Sequence, residues 1–480
     1  MILFKKILAA ILILESRLIL AKYRPFIVAV TGSVGKTSTK DAIYSVLKNQ
    51  SNYVRKSEKS LNSEIGLPLT IIGVPNAWHS LWGWLRNISC GLGLIFRKNE
   101  YPDCLVLEIG ADHPGDIRKI ARWLHPEIAV VTQVSSTPVH VEFFKSPKEV
   151  FEEKASLATA VKKGGTLVLF ADNEKVLLLG ELVKDKDVKV ISFGTINKAD
   201  VKGSEQRIVY ELAEVPVSAT AQISISKSIS MPISTSEESN QTSSIPVSAS
   251  NSTSLAVATK IPSGFTFKLN LNGMSTQVSI NGLLGRSYMY PLLAAAAVGK
   301  VKDVPISAII NGLNNYEAPK SRMNIIAGSY DTTLIDDSYN SSPDAVISAL
   351  NTLKELETNG SKIIALGDMM ELGHYSAEEH RRIGREVVGV ASVLVTVGQR
   401  SRTTADEAVK NGFVVGNVHA FDNSIEAGEF LKTIIKTGDL VLIKGSQSIR
   451  MERIVKMLMK YPDQADQLVV RQEKEWLEKA

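Results

Sequence analysis

Phe26-Ile-Val-Ala-Val-Thr-Gly-Ser-Val-Gly-Lys-Thr-Ser-Thr-Lys40 decides the fold. Phe26 to Val30 is an apolar, β-rich run. A glycine-bearing turn follows and ends in Gly35-Lys36-Thr37, and a helical pattern begins near Asp41. Strand, glycine turn, Lys-Thr and helix in that order make a phosphate-binding loop. Glycines let backbone N–H groups converge on phosphate oxygens, and the helix N-terminus adds its positive end. Lys36 reaches the β- and γ-phosphates in such a loop, and the Thr37 hydroxyl sits on magnesium. The longer form G-x-x-x-x-G-K-T is incomplete here, because Val30 stands where its first glycine belongs. Taken without its flanks, the stretch is an ordinary strand-to-helix turn with a surface lysine.

Outward from the loop, the chain reads as α/β. Cys104 to Ile109, Ala129 to Thr132 and Thr166 to Phe170 are continuous apolar strands, and helical patterns separate them. Such strands belong to a parallel sheet covered on both faces. A second α/β pattern starts near Pro319. Its strands are Thr333 to Ile335, Lys362 to Leu366, Val393 to Val397 and Leu440 to Ile443, and it reads as a Rossmann-like domain. The expected organisation is an N-terminal helix over 1–24, a central P-loop-type ATPase domain over 25–317 and a Rossmann-like C-terminal domain over 318–480. Residues 214–259 are Ser/Thr-rich with Pro216, Pro232 and Pro246. They hold too little apolar surface to offset ordering entropy, and predict a flexible insertion between strands at 207–212 and 264–271. Asp463 to Ala480 predicts a charged, exposed helix.

The 480 residues are 44% hydrophobic and 22% charged, a globular balance with room for two or three cores. The net charge of +5 has no basic stripe with interleaved aromatics, so no nucleic-acid partner is expected. Cys90 and Cys104 form no metal or disulfide framework, which fits a cytoplasmic protein. Residues 1–24 mix Ile, Leu and Phe with Lys5, Lys6, Arg17, Lys22 and Arg24 against the single acid Glu15. No small-residue cleavage site follows them, against a signal peptide, and Glu15 and Arg17 interrupt any spanning helix. Two readings stay open: a helix lying on the inner membrane face, or one packed on the protein. The Trp78–Trp84 segment is helical in pattern, and core packing is its commoner role.

Carboxylates and a histidine fall at strand ends, where open α/β sheets bind ligands. Glu108 ends one strand and can hold magnesium beside a triphosphate. His140 follows the next strand; on its own it reads as structural. Lys154 on its own reads as a solvated helix lysine.

Six motifs in order resemble the Mur ligases. They are Thr31–Thr37, Leu61-Asn-Ser-Glu-Ile-Gly-Leu-Pro68, Glu108-Ile-Gly-Ala-Asp-His113, Asp336-Asp-Ser-Tyr-Asn-Ser-Ser-Pro343, Leu366-Gly-Asp-Met-Met-Glu-Leu-Gly373 and Lys444-Gly-Ser-Gln-Ser448. Within that family they are nearest the branch that adds D-alanyl-D-alanine. The resemblance implies ATP-dependent amide formation in peptidoglycan precursor synthesis, with a muropeptide and D-alanyl-D-alanine as substrates. A carboxylate attacks the γ-phosphate to give an acyl phosphate and ADP, and an amine then displaces phosphate from the acyl carbon. It assigns Gly32, Ser33, Gly35, Lys36, Thr37 and Ser38 to the ATP phosphates. Thr37, Glu108, His140 and Lys154 are assigned to two magnesium ions, Lys154 as a carbamate. Arg322, Asp337, Tyr339 and Asn340 bring the C-terminal domain to the nucleotide, while Asn62 and Lys444 meet substrate or phosphate. Lys36, Lys154, His140 and Glu108 form its catalytic set.

Three departures stand against it. Only about 25 residues precede the loop where the family has a sugar-nucleotide domain. The adenine-side motif is Ser287-Tyr-Met-Tyr-Pro291, without asparagine, and the histidine motif Thr137-Pro-Val-His-Val-Glu142 is loose. The first leaves room for a lipid-linked precursor or another peptide-like acid. A non-catalytic nucleotide-binding module is the remaining alternative, disfavoured by Lys36, Thr37, Glu108, His140 and Lys154 together.

Overall fold

The computed structural model describes residues 2–58, 61–78, 80–138, 140–216 and 256–478. The strands that the apolar runs predict assemble into two sheets. In the central domain nine strands take the order β2-β3-β1-β4-β5-β6-β7-β8-β9. These are β1 (Phe26–Thr31), β2 (Val54–Lys56), β3 (Cys104–Glu108), β4 (Ile128–Val131), β5 (Thr166–Phe170), β6 (Lys189–Gly194), β7 (Val201–Pro216), β8 (Ala256–Leu271) and β9 (Met274–Asn281). From β2 through β7 every neighbouring pair is parallel. Strands β3, β4 and β5 are buried along their whole length, so they carry Leu, Val and Ile continuously rather than alternating.

Helices cover the sheet: α1 (Ile2–Tyr23), α2 (Lys36–Leu47), α3 (Gly66–Ile72), α4 (Leu81–Phe96), α5 (Asp116–Ala121) and α6 (Pro147–Ala158). The phosphate-loop helix α2 is clasped by helices Met289–Val301 and Ile306–Asn314. There the Ser45 hydroxyl donates to the Gly312 carbonyl at 2.8 Å.

The C-terminal domain has six strands, ordered β10-β11-β15-β12-β13-β14. They are β10 (Asn324–Ala327), β11 (Thr333–Asp337), β12 (Lys362–Gly367), β13 (Val393–Val397), β14 (Val418–Phe421) and β15 (Leu440–Lys444). Only β10, at the edge, is antiparallel. Register places Asp337 opposite Lys444 and Leu366 opposite Lys444, so three of the motifs meet at the carboxyl ends of neighbouring strands.

Four expectations change. The strands flanking the insertion run past 207–212 and 264–271, pairing out to Pro216 opposite Ala256. Beyond Gly264 they have left β9 and form a two-stranded ribbon. The ribbon is tied to the other domain by a Lys260–Glu357 ion pair and by the Glu357 N–H donating to the Tyr210 hydroxyl. Only 217–255 of the expected insertion lie outside the described residues. The C-terminal stretch is no single exposed helix: Val469, Val470 and Arg471 are buried, and Arg471 pairs with Glu452 and donates to the Ser338 and Tyr339 carbonyls. Two short helical turns, Ala465–Leu468 and Lys474–Leu477, and a buried strap replace the charged, exposed helix expected there.

The tryptophan helix spans Leu81–Phe96 rather than Trp78–Trp84, and of its tryptophans only Trp84 packs inward. Lastly, α1 docks on α3 and α4 through Leu8, Leu12 and Ile19. Lys22 donates to the Leu94, Ile95 and Arg97 carbonyls and so caps the end of α4. No described helix is long and apolar enough to cross a membrane.

Candidate active site

The phosphate loop joins β1 to α2, and two glycines set its shape. Gly35 caps α2 with φ 83°, a left-handed turn that costs a side chain energy. At Gly32 a Cβ would fall 1.9 Å from the Thr132 hydroxyl, so no larger residue lets the loop cross β4's end. Ser33 N–H donates to the Gln133 carbonyl at 2.8 Å, while its own hydroxyl is buried without a partner. Ser38 is buried on the first turn of α2.

Parallel pairing of Val30 with Glu108 brings the β3 carboxylate beside the loop. Thr37 Oγ1 lies 3.2 Å from Glu108 Oε1, and Asn62 Nδ2 lies 3.5 Å from the same oxygen. Lys40 Nζ, which sequence reasoning passed over, stands 4.0 Å from Glu108 Oε2 and donates to the Ser57 carbonyl. Lys36 turns back onto the Gly32 carbonyl at 3.0 Å. Burial lowers its ammonium pKa, with the Glu108 carboxylate opposing that shift.

Lys154 is 4% exposed on α6. Burial first, and the nearby Lys36 charge second, push its pKa down to about 7. The reading of a solvated helix lysine therefore fails: the amine is in the interior, electrostatically in reach of Lys36 and Asp112. His140 holds a left-handed backbone with φ 69°. Its ring stands 2.7 Å from the Glu371 carboxylate and 3.5 Å from that of Asp112. That imidazole, acting against burial, holds the Glu371 carboxyl below its usual range. Neither Asp112 nor Glu371 is a residue the motifs single out by role; both sit inside motifs, at their ends.

The C-terminal domain reaches the same place. Arg322 donates to Thr37 Oγ1 at 3.3 Å and stacks 4.2 Å from the Tyr339 ring. Asp337 pairs with Lys444 at 2.7 Å, and Lys444 donates to the Asn340 carbonyl at 2.9 Å. Lys444 is thus buried in an ion pair. Burial raises the Asp337 carboxyl pKa and Lys444 opposes this. Asp336 is pushed up to about 6 by burial, against hydrogen bonds from Ser321 and Ser338.

Beside the loop lies a narrow apolar slot lined by Gly35, Thr132, Phe170, Phe193, Tyr290 and Pro291. Phe170 and Tyr290 meet edge to face at 4.6 Å. The asparagine-free segment contributes Ser287, Tyr290 and Pro291 to one wall. Two aromatic residues 120 positions apart give no motif, and only the fold brings them together.

A divalent cation fits this donor set. Among the described residues no group of three His, Cys, Asp or Glu side chains could enclose a metal. What the chain offers at the loop is one hydroxyl and one carboxylate, both hard oxygen donors. Magnesium binds in this way, completing its shell with phosphate oxygens and water. His140 with the Asp112 and Glu371 carboxylates forms an ion-pair cluster rather than a metal cage, and Lys154 lies within electrostatic reach of Asp112.

Residues 30–82 and 86–236 match the Mur ligase middle domain, and residues 321–447 match the Mur ligase glutamate ligase domain. UDP-N-acetylmuramoyl-tripeptide--D-alanyl-D-alanine ligase of Bacillus subtilis is 26% identical over 438 residues, covering 91% of this chain and 76% of the relative. Among solved structures, MurF from Acinetobacter baumannii superposes with a TM-score of 0.68 at 21% identity, covering 93% of this chain and 79% of that one. The Thermotoga maritima MurF complex with ADP gives a TM-score of 0.67 at 21% identity, covering 96% and 84%.

Proposed function

Because this chain belongs to the Mur ligase family, we propose that it is an ATP-dependent, ADP-forming peptide ligase that adds D-alanyl-D-alanine to a muramoyl-peptide. One observation carries the reading. The Thr37 hydroxyl, one residue after Lys36, is shared between Glu108 of the central domain and Arg322 of the C-terminal domain, and Asn62 reaches the same Glu108 oxygen.

In this reading the loop amides and Lys36 hold the triphosphate, and the slot between Phe170, Tyr290 and Pro291 takes the base. Thr37 and Glu108 are the residues that would hold magnesium, and a bound ion would screen phosphate charge there. Arg322, released from Thr37, is the C-terminal domain's cation for the developing charge. Asp337 orients Lys444, and Tyr339 supports Arg322. Lys154 offers an uncharged amine near pH 7, the form that adds carbon dioxide to give a carbamate and a proton. The product is an anion in a cluster that otherwise holds two buried lysines, and with His140 it would favour a second magnesium ion. Domain contact keeps water from an acyl phosphate.

The finer placement is cytoplasmic, at the inner face of the membrane, through residues 1–24. Their basic excess and the apolar outer side of α1 also favour a second substrate reading, in which the muropeptide is lipid-linked.

Phosphate release from ATP, measured with UDP-linked and lipid-linked muropeptides, each with and without D-alanyl-D-alanine, tests the proposal. Turnover should need both substrates. Lys36→Ala should lower it at least ~100-fold with an unchanged circular dichroism spectrum. Release that ignores D-alanyl-D-alanine, or wild-type turnover in Lys36→Ala, would overturn the assignment.

A further inference from the structure

Helices α1 and α4 lie side by side over α3, in contact with it and with each other. Each buries one face and leaves a second apolar face in solvent. On α4 the buried positions are Trp84, Asn87 and Gly91. Its exposed stripe is Trp82, Leu85, Leu92 and Phe96, with Trp82 83% and Phe96 81% exposed. On α1 the exposed stripe is Ile7, Ile11, Leu14 and Leu18. The α1 stripe recurs every three or four residues and the α4 stripe at spacings of three, seven and four, so each keeps to one helix face. Scattered exposed leucines need no explanation, but stripes on two touching helices, one of them ending in open aromatics, do.

The charged residues that the two helices themselves and their immediate flanks carry are almost all basic. Residues 1–24 and 78–98 contain Lys5, Lys6, Arg17, Lys22, Arg24, Arg86, Arg97 and Lys98. Their single acid, Glu15, is 3% exposed and faces inward against Gly91. Lys6, Arg17 and Arg86 each stand one residue, about 100° of helix, from an apolar stripe. A protein partner with an apolar patch would match the stripes but not this basic rim. An anionic bilayer matches both: acyl chains take the aliphatic side chains, and headgroups take the lysines and arginines. Trp78 and Trp82 sit at the N-terminal end of α4, where indoles settle at headgroup level.

We propose that the joined outer faces of α1 and α4 form a docking platform for an anionic lipid surface, with α4 as the inserting helix. This rests on the membrane placement of residues 1–24 and extends it: α1 supplies half the surface, is fixed to the body by its other face, and positions α4 by capping its C-terminus. The platform holds the enzyme lying against the bilayer rather than tethered by a loose N-terminal leader.

Full-length protein is mixed with vesicles of phosphatidylcholine alone or with 30–40% phosphatidylglycerol (roughly a bacterial anionic fraction) and sedimented. Two double variants accompany it, Trp82→Ser with Phe96→Ser on α4, and Leu14→Ser with Leu18→Ser on α1. All four positions are exposed, so folding is retained, as thermal melts check. Wild type should bind only anionic vesicles, release with salt and show a blue-shifted tryptophan emission that Trp82→Phe removes. The α4 variant should partition roughly tenfold or more weakly and still bind fluorescent ATP analogues. An α4 variant that binds like wild type while the α1 variant does not would overturn the platform and leave the membrane placement by α1 standing. Wild type that stays in the supernatant would overturn both. A platform that instead joins two copies, seen as a dimer that the α4 variant dissolves without any vesicle binding, would also overturn the proposal.

Discussion

Lys154 shows how a single residue changes meaning with burial. In sequence it is one lysine in Phe-Glu-Glu-Lys-Ala-Ser-Leu; in the fold it is an interior amine with its pKa pushed down to about 7. Below that pH it is protonated and cannot add carbon dioxide, so carbamate should form on the alkaline side. Lys154→Ala should lower turnover ~10–100-fold, and acetate or formate should restore part of it by placing a carboxylate where the carbamate stood. Wild-type enzyme degassed of bicarbonate at pH 6 should lose activity and regain it with bicarbonate at pH 8. Steady-state rates under these conditions check both, and a full rate in Lys154→Ala without additive would return the residue to a bystander. Motif order brought Lys36, Thr37 and Glu108 forward, because those residue types are uncommon in fixed sequence at strand ends; Arg322 lies outside the motifs and came only with the family resemblance. The aromatic slot was not legible, since Phe170 and Tyr290 look like any core aromatics until the sheet brings them together.

Among elements, the α1–α4 pair carries the sharpest test. Both carboxylate oxygens of Glu15 are buried at this contact without hydrogen-bond partners. Desolvation pushes its pKa up to about 7. The folded form therefore takes up a proton between roughly pH 4.5 and 7 that the unfolded chain has lost. Stability from this group is full at low pH and is lost as pH rises through 7. Glu15→Gln should remove that dependence and stabilise the protein by about 1–3 kcal/mol at pH 8.5, with little gain at pH 5. Urea denaturation at the two pH values measures it; an equal shift at both would point to packing rather than charge. The alternation of apolar and basic residues in 1–24 showed that α1 would be a helix with one apolar side. It could not show two apolar sides with different neighbours, because that depends on α4. The C-terminal strap was misread for a related reason: its many charges suggest solvent, but Arg471 finds Glu452 and two carbonyls in the interior.

At the scale of the whole molecule, the site exists only where the two domains touch. The Thr137 hydroxyl donates to Glu379 at 2.7 Å across that boundary, close to the His140–Glu371 contact. Thr137→Val keeps the shape and deletes the donor. It should raise the KM for ATP about 5–30-fold, the equivalent of one lost buried hydrogen bond (~1–2 kcal/mol). The melting temperature should move by no more than a few degrees, since each domain keeps its own core. Steady-state kinetics beside calorimetry separate the two effects, and an unchanged KM with a large loss of stability would make the contact purely structural. Strand order comes from the fold alone, while the parallel sheets of both domains follow from the apolar strands and the intervening helices. The antiparallel end of the central sheet does not, because β7 and β8 are half-exposed and carry the polar alternation of a ribbon instead of a buried run.

That ribbon can serve as a handle for measuring motion. Once past Gly264 it stands clear of β9, and the eight residues to Ala256 reach roughly 26 Å at ~3.3 Å apiece. Tyr210 and Lys260 grip Glu357 of the other domain on the way, so a swing of one domain against the other must either bend the arm or break the grip. Leu212 sits on the arm with its side chain in solvent. With the exposed Cys90 changed to serine, a spin label at position 212 and a second on the C-terminal domain would turn each catalytic cycle into a change of distance, read without touching a residue of the site.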